Sequence, residues 1–258
     1  MATFYTVKTR GIGLPDYAQA KPVGSVPVGP IYTSTDMGEL AARLKSSDVF
    51  DRRGNIVWFD DFEDGVQKWT VVGDAGFGYA WDADHPHHSG HSLKFWTGAG
   101  AWWETYVSTW CPYPTLSKMG FEVAFRPDTE LGALHFYTQM NDGTVQHRAD
   151  IAYNLVTDRW TYLNAAGGYT FLPADIIIPV DHYSIIKVVC DFETDEYVRL
   201  IVNNATFNLG GIGIRATPSV VGPYLGATVN IVNQALGAST CYMDSAIITQ
   251  NESDNPIA

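Results

Sequence analysis

The sequence predicts an all-β protein: an antiparallel two-sheet jelly-roll sandwich with an extended N-terminal arm and one short helix. Three observations predict it. From Asn55 onward, apolar residues recur at every second position in short runs broken by Asn, Asp and Gly, the period of strands with one buried face. No helical periodicity of useful length intervenes between those runs. Ahead of them, residues 1–54 carry Pro15, Pro22, Pro27 and Pro30 among glycines without a clean period, which suits extended chain better than a packed layer.

In chain order, the arm comes first. Pro15, Tyr17, Pro22, Pro27, Pro30 and Tyr32 offer apolar and main-chain contacts but little that the arm could bury against itself. The run "TDMGELAARLKSS" predicts a short helix over 36–46: Asp36 can cap it, Glu39 follows three residues later, and Met37, Leu40, Ala41 and Leu44 share one face. So short a helix is marginal alone, and its stripe can dock on the chain's own sandwich or on a neighbouring subunit. The sandwich is expected over 55–250 and a tail over 251–258. Within it, Met119, Phe121, Val123 and Phe125 alternate with polar or small residues, and Ala149, Ile151, Tyr153 and Leu155 share a face. "NIVWF", "SLKFW", "AWWETYVST", "ALHFYTQM", "IKVVCDF", "YVRLIVNN", "ATVNIVNQ" and "CYMDSAIIT" read as further strands, with turns at Asn141-Asp142-Gly143, Thr157-Asp158, Asp195 and Asn203-Asn204.

Composition narrows function. The formal net charge of -12 repels phosphate backbones and anionic lipid surfaces, so nucleic acid is not an expected partner. No apolar run is long enough for membrane insertion, and the N-terminus lacks a secretory pattern, so synthesis in a cytoplasm is expected. The three cysteines, Cys111, Cys190 and Cys241, are odd in number and widely spaced and suggest no disulfide framework; Cys190 alternates inward as a small core residue. Aromatic residues at 13% exceed what a core alone usually needs, as in interfaces and sugar-stacking faces.

"WFDDFEDGVQKWT" (58–70), "HSGHSLKFWTG" (88–98), "YSIIKVVCDFETDEYVRLIVNN" (183–204) and "YMDSAIIT" (242–249) occur in an order that resembles concanavalin A-like jelly-roll modules, a group that includes carbohydrate-binding modules and laminin-G-like domains. The resemblance spans roughly 58–249. Extended arms joined to such sandwiches also resemble decoration or tail proteins of bacteriophages. The resemblance implies a structural Ca2+ at Glu63 and Asp244, with Asp61 beside them and main-chain carbonyls near 89–94. The other reading of "DDFED" is a solvated edge that discourages aggregation.

Four of the seven histidines, His85, His87, His88 and His91, lie in one stretch. Their spacing is not that of two ligands on a helical face, and Pro86 excludes a helix, so a polar loop is favoured over a zinc or nickel site. Trp102, Trp103, Tyr106 and Trp110 are the candidates for glycan binding. Adjacent tryptophans in a strand point to opposite faces, so one of Trp102 and Trp103 would face away from the core. Coverage by protein is the favoured reading of that outward ring, with a sugar platform as the alternative. For catalysis, Glu104 and Glu122 are strand carboxylates with no sign of pairing, and no nucleophile elbow, phosphate loop or zinc-protease motif occurs.

These readings lead to a non-catalytic structural protein. It would assemble as a homo-oligomer, and with other structural proteins, through Pro15, Tyr17, Pro22, Pro27, Pro30, Tyr32, Leu40 and Leu44, at a virion surface. The alternative is a carbohydrate-binding module that takes glycans as partners and is stiffened by calcium.

Overall fold

A computed structural model describes residues 53–254 apart from 89, 112–117 and 129–131. It contains β1 (Asn55–Asp60), β2 (Thr70–Gly73), β3 (Gly78–Asp82), β4 (Ser92–Trp96), β5 (Glu104–Cys111), β6 (Lys118–Pro127), β7 (Gly132–Asn141) and β8 (Val145–Asn154). There follow β9 (Arg159–Leu163), β10 (Tyr169–Leu172), β11 (Ser184–Asp191), β12 (Glu196–Val202), β13 (Ala205–Asn208), β14 (Arg215–Pro218), β15 (Tyr224–Asn233) and β16 (Thr240–Gln250). The all-β, two-sheet antiparallel jelly-roll expectation holds. Its short helix does not: every regular element among the described residues is a strand. The segment 36–46 on which that helix was placed, and all the arm residues from Pro15 to Leu44, lie outside the described residues. With no helix among the described residues, none there is long and apolar enough to cross a membrane.

The first sheet runs β13-β12-β11-β6-β16-β4-β3, with β1 beside the far half of β16; the second runs β10-β9-β8-β7-β15-β5-β2, with β14 beside β8. The first and last strands therefore pair, Asn55 opposite Gln250 through to Asp60 opposite Ala246. A bulge between Asp244 and Ile247 lets β16 hold β4 with one half and β1 with the other. The alternation that predicted the strands also builds the core. Met119, Phe121, Val123 and Phe125 of β6 are fully buried against the second sheet's Leu134, Phe136, Ile151 and Tyr153, and the Phe125 and Phe136 rings meet at 4.6 Å. The three cysteines are buried thiols, with Cys190 in the core as expected.

Two groups of side chains close the outer face of the first sheet. At one end, Lys187 Nζ lies 2.8 Å from Glu252 Oε1 and 3.8 Å from Glu122 Oε2, and Arg199 pairs with the other Glu252 oxygen. All four side chains are buried. Two cations and two anions balance, which is what makes their burial tolerable. Lys187 also donates to the Arg53 carbonyl at 3.3 Å, so the cluster fastens the start of the described chain beside its end.

The histidine loop closes the other end. The His85 ring lies 4.4 Å from Tyr242 and the His87 ring stacks on Tyr183 at 4.6 Å. The Tyr183 hydroxyl donates to the His85 carbonyl at 2.6 Å. The sequence suggested an exposed polar loop; its histidine rings are instead partly buried, because His85 packs on Tyr242 of β16, His87 on Tyr183 just before β11 and His91 on Trp81 of β3.

Candidate functional site

Outward residues of the second sheet follow from its register. Since directly paired residues share a face, Arg215, Arg148, Gln139, Gly226 and Trp110 form one straight row across β14, β8, β7, β15 and β5. The next row places Asp150, Tyr137, Thr228 and Ser108 side by side, and the one after it His135, Asn230 and Tyr106. Tyr169 and Phe171 of β10 stand at the far edge.

Aromatic rings border this face. Trp110 is 48% exposed and meets Tyr224 edge-on at 4.8 Å. Its ring lies over Gly226, where a Cβ would come within 2.8 Å of it, so a glycine is required directly opposite. Tyr169 and Phe171 are 47% and 55% exposed. From β5 to β10 there are five strand spacings, roughly 24 Å at about 4.8 Å each.

Between the rims lies a polar floor. Buried Asp150 accepts from Arg148 Nη2 at 2.6 Å and from the Tyr169 hydroxyl at 2.7 Å, with His135 Nδ1 at 3.3 Å. Burial alone would raise its carboxyl pKa, but the hydrogen bond and charge of His135, with Arg148 and Tyr169, outweigh this and hold it below the usual carboxylate value. Burial, and then the charge of Asp150, raise the Tyr169 hydroxyl, so it stays a donor. Arg148 stacks over the Tyr137 ring at 3.9 Å. Toward β5, Glu104 accepts from the Tyr106 hydroxyl and, at 3.4 Å, from Asn230 Nδ2. Two buried atoms of this face, Arg148 Nε and Asn230 Oδ1, have no hydrogen-bond partner. Aromatic edges and a hydrogen-bonding floor suit a ligand with both apolar and hydroxyl-bearing surfaces.

Of the residues singled out from sequence, Tyr106 and Trp110 share this face. Trp102 and Trp103 do not lie in a strand, since β5 begins at Glu104. Trp103 folds over Gly98 and Gly100, where a Cβ would come within 2.4 and 2.3 Å of its ring. Trp102 is 67% exposed at φ 65°, a costly backbone for a bulky side chain, held by its N–H on the Asn233 carbonyl at 2.7 Å. Glu104 and Glu122 stand on opposite outer faces of the sandwich and form no pair. His135, Tyr137, Arg148, Asp150, Tyr169, Phe171 and Arg215 were not singled out. For His135, Tyr137, Arg148 and Asp150 the one sequence signal is their place on the non-core face of "ALHFYTQM" and "HRADIAYNL"; Tyr169, Phe171 and Arg215 lie outside both runs.

The expected calcium carboxylates bind backbone. Glu63 Oε1 accepts from the Gly90 and His91 N–H groups at 2.7 and 2.9 Å, and Asp244 Oδ2 from those of His87 and His88 at 2.8 and 3.4 Å. Asp61 Oδ1 accepts from Glu63 N–H at 3.3 Å, within its own turn. Neighbouring Asp60 is buried and takes Lys68 Nζ and Trp69 Nε1 at 2.7 and 2.8 Å, so "DDFED" is not simply a solvated edge. Among the described residues, no three His, Cys, Asp or Glu side chains come together to hold a metal. A second exposed aromatic pair, Tyr79 and Trp81, lies on edge strand β3. Trp81 donates to the Phe62 carbonyl at 2.7 Å and stacks on His91 at 3.8 Å.

The sandwich fold is shared with solved structures. The chain is similar to the endo-β-1,4-glucuronan lyase of the fungus Trichoderma reesei (TM-score 0.55, 9% identity, 76% of this chain and 96% of that one). It is also similar to the cellulose-induced protein Cip1 (TM-score 0.52, 16% identity, 78% and 99%). A Bacillus subtilis protein of unknown function with a galectin-like fold aligns with TM-score 0.50 at 13% identity over 77% and 97%. At such identities the likeness concerns the fold. No family model and no curated protein matches the chain.

Proposed function

We propose that this chain binds carbohydrate, without cleaving it, along the outer face of the second sheet. The observation that carries the reading is the straight row from Arg215 to Trp110: a half-exposed indole at one end, cationic donors at the other and a polar floor beside it. A sugar ring offers C–H groups to the indole and hydroxyls to Glu104, Gln139, Asn230 and the Arg148–Asp150 pair. On this reading Trp110 stacks on the ligand and Tyr106 contributes through Glu104.

A glycan array, followed by calorimetry on any hit, tests it. Trp110→Ala should weaken binding about tenfold or more, the usual scale for an aromatic anchor, while the half-exposed position keeps the fold intact. Retention of full affinity in that variant would exclude this face. The homo-oligomeric virion reading rests on residues 15–44, outside the described residues, and nothing in the described sandwich favours it over glycan binding. A structural calcium belongs to the same proposal, with Glu63 and Asp244 as side-chain donors and main-chain carbonyls as the rest. If it binds, a chelator should lower the melting temperature, and added Ca2+ should restore it.

A further inference from the structure

We infer that the sugar recognised at the β8–β14 end of this face carries a carboxylate, so that the ligand is a uronic-acid-containing glycan. The inference rests on the carbohydrate reading and adds to it a charge and a position.

It starts from an arrangement that is unfavourable as it stands. Arg148 and Arg215 are directly opposite each other on the same face of an antiparallel pair, and like charges so placed destabilise a sheet. Only Arg148 has a carboxylate: Asp150, which is buried, lies 2.6 Å from Arg148 Nη2 and is shared with His135 and Tyr169. Arg215 has no ion pair among the described residues, and its exposed side chain lies against Gly167 of the β9–β10 turn, where a Cβ would stand 3.4 Å from its guanidinium. Arg148 keeps a buried Nε without an acceptor. The corner thus has more positive charge than its own carboxylate offsets, in a chain whose net charge is -12. An acidic protein that places two arginines opposite each other attracts an anion locally despite its overall sign.

The chemistry of the corner selects the anion. A guanidinium presents donors in a planar fork that matches a carboxylate in two parallel hydrogen bonds. The row geometry sets its distance from the stacking site. Three spacings separate β8 from β5, so a carboxylate at Arg148 lies roughly 14 Å from a ring stacked on Trp110, or roughly 19 Å if it sits at Arg215. A short oligosaccharide bridges those points. At the β5 end Glu104 repels a second acid, so the residue stacked on Trp110 is neutral or has its carboxylate turned away.

Matched pairs of oligosaccharides that differ in oxidation at C6 test this: cello-oligosaccharides against oligoglucuronates, galacto-oligosaccharides against oligogalacturonates, with sulfated cello-oligosaccharides as a third arm. The uronate should bind about tenfold tighter than its neutral partner, the scale of one hydrogen bond to a charged group, and the difference should shrink as salt rises. Arg215→Gln should remove most of that preference while its melting curve stays that of the parent protein. Arg215→Lys should restore it only in part, because a point charge lacks the fork. Equal affinity for both members of each pair, with sensitivity to Trp110→Ala, overturns the carboxylate and leaves carbohydrate binding standing. Tighter binding of the sulfated arm overturns the carboxylate in favour of sulfate. Binding of none of the three overturns the carbohydrate reading with it.

Discussion

The two outer faces of this sandwich both carry charged residues, and they use them in opposite ways. On the first sheet, Lys187, Arg199, Glu122 and Glu252 are matched two against two and buried, and the histidine loop lies on Tyr242 and Tyr183. On the second, Arg148 and Arg215 stand opposite each other, Asp150 is the carboxylate bonded to Arg148 and His135, and the aromatic rims are half exposed. Charge matched two against two under full burial holds the first face together. Cations in excess beside half-exposed rings leave the second face open to a ligand.

The largest effect that would sharpen this contrast is on stability alone. Glu252→Ala leaves Lys187 and Arg199 short of their shared anion and should cost about 3–5 kcal/mol in denaturant unfolding, with glycan affinity unchanged. A loss of affinity on the same scale would mean that the faces are coupled. Asp150→Asn comes next and should affect both readouts. It removes the carboxylate beneath Arg148, and we expect a cost of about 1–3 kcal/mol together with weaker binding. The sign with pH is fixed by the depressed carboxyl. Its contribution is present above its unfolded value of 3.8 and is lost as pH falls through the lower folded value. The difference in stability between parent and variant should therefore narrow in acid.

Gly226→Ala should disturb one side chain. The added methyl would meet the Trp110 ring at 2.8 Å and push it out of place, weakening binding with a stability loss of about 1 kcal/mol. The smallest effect is expected at Trp102, whose left-handed backbone suits glycine. Trp102→Gly should raise stability by about 0.5–1 kcal/mol, measured as a shift in the denaturation midpoint.

How much of this was legible depended on period and register. The core was, because Met119 to Phe125 and Ala149 to Leu155 alternate cleanly, and Asp158, Asp195 and Asn203 fall in turns with positive φ. The pairing of the first and last strands joins segments almost 200 residues apart (250 minus 55) and follows from the jelly-roll topology, not from any local pattern. The site was only half legible. Tyr106 and Trp110 stood out as aromatics, but Arg215 lies 67 positions beyond Arg148 in the chain (215 minus 148) and meets it only through the β8–β14 register, which no local pattern encodes. Trp102 and Trp103 misled because "AWWETYVST" starts the strand three residues before Glu104, where Gly98 and Gly100 make room for the Trp103 ring. The histidines read as an exposed polar loop and not a metal site; their exposure was misjudged, because the rings of His85, His87 and His91 pack on aromatic neighbours that lie far away in sequence or on another strand.

The most direct test labels the eight tryptophan indoles with 15N and follows their resonances while a glycan from the array is titrated. The account predicts that the Trp110 resonance moves with the binding isotherm while those of Trp81, Trp58 and Trp69 stay in place. Movement of Trp81 with Trp110 unchanged would put the ligand on edge strand β3 and contradict it.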